Sequence, residues 1–218
     1  LHALSYAHQL TAPDGTPLGV VHRDISPQNV LVSTSGEVKL LDFGVAHTVV
    51  EESSGMHVKG KLRYMAPEQL RGQRVDRRAD VYALGAALFE CLTGRPPFNA
   101  PTREALYRAI LEQDPLSPHA VNRAIPQDLA VIALTALEKE PGRRYSTAGA
   151  MADDLARLRR NEPIVARPIG VWMRAWRWVQ RNRMVASLAA LLFLVLTVSL
   201  VWIGWQNRQL AAELDDAR

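Results

Sequence analysis

Cysteine is almost missing from this chain. Cys91 is the single one in 218 residues, which excludes an internal disulfide and any Cys-rich metal centre and points to folding in a reducing compartment. Lying on an apolar helical stretch, it is expected to be packed rather than reactive. His2, His8, His47, His57 and His119 lack metal-ligand spacing and read as surface or structural residues. An excess of one charge sign is also missing where a globular domain would lie, since residues 1–156 carry 16 basic and 18 acidic groups. No nucleic-acid partner is therefore expected. There is no internal repeat or low-complexity tract, the first residues are not expected to be a signal peptide, and position 1 is Leu rather than Met. The chain is expected to begin inside a longer protein.

The basic residues concentrate instead in one block. Residues 157–183 carry eight basic groups against one acidic, immediately before residues 184–205, which contain no charge at all. Twenty-two uncharged residues at a helical rise of about 1.5 Å each span a bilayer core, so 184–205 is predicted to be a transmembrane helix. Trp172, Trp176, Trp178, Trp202 and Trp205 flank or end that run, as aromatic belts do. Arg174, Arg177, Arg181 and Arg183 precede it and Arg208 follows. The positive-inside rule then places residues 1–183 in the cytoplasm and the tail 206–218 outside. Residues 161–183 read as a basic, Trp-rich juxtamembrane segment lying in the headgroup layer. The expected partners thus include the lipid bilayer, and a homodimer is compatible with such an anchor.

Upstream, the patterning predicts a mainly α domain with one short β-hairpin. Asn29–Ser33 and Glu37–Asp42 are the strands, around a Thr34-Ser35-Gly36 turn. Helices are expected over 1–10, 77–93, 102–112, 126–139 and 147–160, with breaks at Gly94, Pro115, Pro118, Pro126, Pro141 and Gly142. Three motifs then occur in order: HRDISPQN at 22–29, DFG at 42–44 and APE at 66–68. With strands between the first two and a polar loop before the third, the chain resembles the C-terminal lobe of protein kinases over residues 1 to about 160. The nearest likeness is to the transmembrane serine/threonine kinases of bacteria, because a lone apolar span follows and MAPEQ is typical of them.

That resemblance implies an ATP- and Mg²⁺-dependent enzyme acting on serine or threonine of protein substrates. Asp24 would be the catalytic base, Asn29 a ligand of one Mg²⁺, and Asp42 the ligand of the Mg²⁺ bridging the phosphates. Leu31 would lie beneath the adenine. His22 and Phe43 would pack together, Gly44 would complete DFG, and Arg23 would meet a phosphate on the activation loop. Glu68 would pair with Arg144, and Asp80 would hold the catalytic-loop backbone. Ser53 and Ser54 are the candidate phosphosites, with Thr48 nearby. Tyrosine specificity is not expected, because ISPQ lacks the Ala/Arg pattern of that group.

Two positions depart from the family. Ser26 stands where a lysine usually contacts the transferring phosphate, and Lys61 stands where a threonine usually touches the catalytic Asp. Lys61 would then reach Asp24 and restore the missing charge. The 218 residues also contain no glycine-rich phosphate loop, strand Lys or partner Glu helix. A kinase fragment inactive alone is the expected reading. A catalytically silent scaffold at the membrane is the alternative.

Overall fold

Capping residues and glycines set the helix limits in the computed structural model, which describes residues 1–43, 61–166, 179, 184–185, 187–188, 191–200 and 202–203. Helix α1 spans His2–His8. After a loop and a 3₁₀ turn at Pro27–Asn29, strands β1, Val30–Val32, and β2, Val38–Leu40, pair antiparallel with Leu31 opposite Lys39. Gly36 turns the hairpin at φ +83, a conformation costly to residues bearing a Cβ. The ladder is shorter than the patterning predicts. The Leu41 amide still reaches the Asn29 carbonyl at 2.8 Å, so the two strands hold the ends of HRDISPQN and DFG together.

Helix α2 spans Pro67–Leu70, α3 Arg78–Thr93, α4 Arg103–Glu112, α5 Pro118–Val121, α6 Gln127–Ala136 and α7 Ala148–Arg159. The hydroxyls of Thr102 and Thr147 accept from the amides of Ala105 and Ala150, which cap α4 and α7 at their N-termini. Helix α3 ends at Gly94, whose φ of +71 closes it in the left-handed conformation.

Helix α3 is the axle of the core. Its Val81, Tyr82, Ala83, Ala86 and Phe89 are buried, and one side packs on α6. The backbones approach so closely that a Cβ on Gly85 would lie 2.6 Å from the Ala136 Cβ. Cys91 falls on the other side of α3 and is exposed. The expectation of a packed thiol is corrected: seven of the last eight helical positions are uncharged, but the core takes one face of them.

The described mainly helical unit with its two-stranded sheet is the unit Leu1–Pro168; Ile169–Arg218 forms a second. In the second, residues 184–185, 187–188, 191–200 and 202–203 are helical, and Thr197 Oγ1 donates back to the Phe193 carbonyl. No helix among the described residues is long and apolar enough to cross a membrane. Most of the juxtamembrane segment and all of the tail 206–218 lie outside the described residues.

Candidate active site

Asp80, in the first turn of α3, organises the loop that precedes β1. Its Oδ2 accepts the His22 amide at 2.8 Å and its Oδ1 accepts the Arg23 amide at 2.8 Å. The His8 ring, at the end of α1, adds a third contact, Nε2 to Oδ2 at 2.8 Å. Both His8 and Asp80 are buried, where a carboxylate is tolerated because donors meet it. Arg23 adopts φ +66, a left-handed conformation costing a non-glycine residue about 1–2 kcal/mol. Asp80 holds its amide, and Gln69 Nε2 donates to its carbonyl at 3.0 Å, so α2 and α3 fix that turn from both sides.

His22 is fully buried. With the ring proton on Nε2 it donates to the Leu41 carbonyl at 3.0 Å, and Nδ1 accepts the Asp24 amide at 3.4 Å. The Phe43 ring lies 4.6 Å from it, tilted by 42°. HRD and DFG are thereby joined through one imidazole. Asp42 sits at φ +50, a second left-handed non-glycine residue, and backbone strain of this kind clusters at functional sites.

Asp24 is where the motif residues converge. Asn29 Nδ2 donates to the Asp24 carbonyl at 2.6 Å and to its Oδ2 at 3.0 Å. Lys61 Nζ donates to the same Oδ2 at 2.6 Å. The Asp24 side chain is 13% exposed and that of Lys61 42%, so the carboxylate is recessed and the ammonium stands toward solvent. Because both Asn29 amide hydrogens face Asp24, its Oδ1 is left as an acceptor. That oxygen and the Asp42 carboxylate are hard donors of the kind Mg²⁺ takes, and Mg²⁺ needs few protein ligands when phosphates and waters complete its shell. The donor set fits the metal.

The remaining sites divide. Glu68 and Arg144 form a buried, bidentate pair, Nη1 to Oε1 at 2.6 Å and Nη2 to Oε2 at 2.7 Å. Ser26 is buried, and its hydroxyl has no hydrogen-bond partner among the described residues. Leu31 is 52% exposed, on the open face of the hairpin. Gly44, Thr48, Ser53 and Ser54 lie outside the described residues. His8 and Gln69 were not singled out by the motifs. Their signal is faint: an apolar neighbourhood for His8, and a position next to APE for Gln69.

A family model described as the protein kinase domain matches residues 1–155. The chain belongs to the protein kinase family. It is 46% identical over 155 residues to a protein of Myxococcus xanthus named tyrosine-protein kinase MasK, covering 70% of this chain and 24% of that one. It is 38% identical over 165 residues to the serine/threonine-protein kinase PknB of Mycobacterium tuberculosis, covering 74% and 25%. A probable serine/threonine-protein kinase PknB of Corynebacterium glutamicum is 39% identical over 151 residues, covering 66% and 23%. The match spans about a quarter of the length of these bacterial relatives. Their names divide between tyrosine and serine/threonine.

Proposed function

We propose that this kinase domain supplies the catalytic-loop half of an Mg-ATP-dependent enzyme that phosphorylates serine or threonine in proteins. The observation that carries the reading is the convergence on Asp24: a recessed carboxylate, clamped by Asn29 and suspended from Asp80 through two consecutive backbone amides. Such a group can orient an acceptor hydroxyl and take its proton. As the acceptor O–P bond forms, the bond from the γ-phosphorus to the bridging oxygen breaks and ADP leaves with the electron pair. Mg²⁺, held by Asn29 and Asp42, would neutralise the phosphates. Serine/threonine acceptors are favoured by the ISPQ sequence between Asp24 and Asn29, and by the PknB likeness.

The 218 residues carry no glycine-rich loop, and their strand lysine, Lys39, follows the catalytic loop rather than preceding it; we infer a phosphate-binding lobe supplied by further polypeptide, and residues 1–218 alone are proposed to be inactive. Residues 184–205 are proposed to anchor the kinase by a single membrane pass, with 1–183 on the cytoplasmic side; the uncharged run and the arginines before it support this. The test is radiolabelled phosphate transfer from Mg-ATP to a protein substrate by this chain joined to a phosphate-binding lobe. Asp24→Asn should lower the rate by about 10²–10⁴, the usual range for losing a general base. An Asp24→Asn enzyme as fast as its parent, or phosphate appearing on tyrosine alone, overturns the proposal.

A further inference from the structure

Between Asp24 and Asn29 the loop offers no cation. Its residues are Ile25, Ser26, Pro27 and Gln28, and Ser26 is 1% exposed with a hydroxyl that meets no hydrogen-bond partner among the described residues. Yet a transferring phosphoryl group spreads negative charge over three equatorial oxygens, and a fixed positive group facing them lowers the barrier. Lys61 is the side-chain cation that the described residues bring to the Asp24 carboxylate, at 2.6 Å. It comes from the far end of the segment between DFG and APE rather than from the loop itself.

Its backbone and its ammonium have different constraints. The Lys61 carbonyl accepts the Tyr64 amide at 3.1 Å, and the next residue, Leu62, is buried in the core, so the Cα is anchored. The side chain is 42% exposed and carries three donors on a flexible stem. One donor can stay on Asp24 while others turn to a phosphate arriving from the open side. The bond also shares Oδ2 with Asn29, which places the ammonium beside both the proposed base and the proposed metal ligand.

We propose that Lys61 is a catalytic cation of this kinase: it rests on Asp24 and contacts the transferring phosphate during the reaction, filling the role that no residue from 25 to 28 can fill. The proposal rests on the phosphoryl-transfer reading above. Lys61 keeps its proton throughout and forms no covalent bond, so the balance of the transfer step is unchanged. Base and cation are then delivered by separate stretches of chain, and neither is sufficient alone.

Two measurements test this on the chain joined to its phosphate-binding lobe. In the first, kcat and the KM for ATP are compared for the parent, Lys61→Thr and Lys61→Arg. Lys61→Thr should lose about 10²–10³ in kcat, the usual consequence of removing one such contact, with the KM for ATP changed by less than about threefold; Lys61→Arg should keep most of the rate. In the second, amines are acylated with N-hydroxysuccinimidyl acetate and quantified by mass spectrometry. Mg-ATP should slow labelling of Lys61 several-fold relative to Lys39, whereas Mg-ADP, which has no γ-phosphate, should protect less. A Lys61→Thr enzyme within threefold of the parent, or labelling of Lys61 indifferent to Mg-ATP, overturns the proposal. Protection of Lys61 in a protein that transfers no phosphate would support the contact while removing the function proposed above, so the two failures are told apart.

Discussion

Replacing Arg144 by Met removes the most heavily bonded side chain in the described fold. Arg144 Nε donates to the Glu138 carbonyl at 2.7 Å. Its Nη1 donates to the Arg78 carbonyl at 2.9 Å and its Nη2 to the Lys139 carbonyl at 3.0 Å. With the two bonds to Glu68, all five guanidinium hydrogens are used, and the charge lies 5.0 Å from the Tyr82 ring centroid. The side chains are 0% and 6% exposed. Met preserves much of the volume, so the loss is polar: a carboxylate remains buried without its counter-ion, and three backbone carbonyls lose a donor. Breaking one partner of a buried pair costs about 3–5 kcal/mol, a large share of the 5–15 kcal/mol that usually holds a domain together. Urea denaturation followed by far-UV circular dichroism measures it. Tryptophan fluorescence would not, because all five tryptophans lie between residues 172 and 205, outside the kinase domain. Glu68→Met together with Arg144→Met should recover a substantial part of the loss, since no charge is then stranded. An Arg144→Met chain destabilised by less than about 1 kcal/mol, the scale of an exposed pair, would refute the reasoning.

Gly85→Ala should destabilise the same fold by about 1–3 kcal/mol, because the new Cβ meets the Ala136 Cβ at 2.6 Å; thermal unfolding by circular dichroism reads the shift, and Ala136→Gly in the same chain should return part of it. Tyr64, Tyr82 and Tyr145 are all held above the usual phenol range by burial, reinforced at Tyr64 by Glu90 and at Tyr145 by Asp154. Their folded values exceed the unfolded value of about 10, so the stability linked to them is complete below pH 10 and is lost as the pH rises above it. Tyrosinate absorbance at 295 nm should show these three phenols ionising together with alkaline unfolding, not before it.

Local grammar made most of the helices readable. Thr102 and Thr147 cap, Gly94 stops, and prolines break the chain where the sequence says they should. The hairpin was readable in kind but not in length, since strand ends answer to tertiary demands. Asn29 belongs to the 3₁₀ turn Pro27–Asn29 and gives its side chain to Asp24, while Asp42 takes a left-handed conformation that ends the second strand. Cys91 failed for a related reason. A helical stretch as weakly patterned as the second half of α3, where Glu90 is the one charge, leaves the buried face poorly marked, and packing against α6 at Gly85 helps to set it.

Within the site, the motif residues were legible, the family resemblance supplied two of their supports, Asp80 and Arg144, and neither supplied His8 or Gln69. HRD, DFG and APE name Asp24, Asp42 and Glu68, but what holds them crosses long stretches of chain: Asp80 to His22 over 58 residues, Glu68 to Arg144 over 76, and His8 to Asp80 over 72. Such contacts leave no local pattern. His8 is the instructive case. On an apolar helix with no companion ligands it carries the signature of a structural histidine, and it is structural in the sense that it shares the Asp80 oxygen that holds the catalytic loop. Most buried polar groups are met by partners, and His8 supplies one of the three contacts on the Asp80 carboxylate, so the loop conformation that presents Asp24 depends on α1 being docked. A residue with no chemistry of its own thereby belongs to the site through the geometry it maintains.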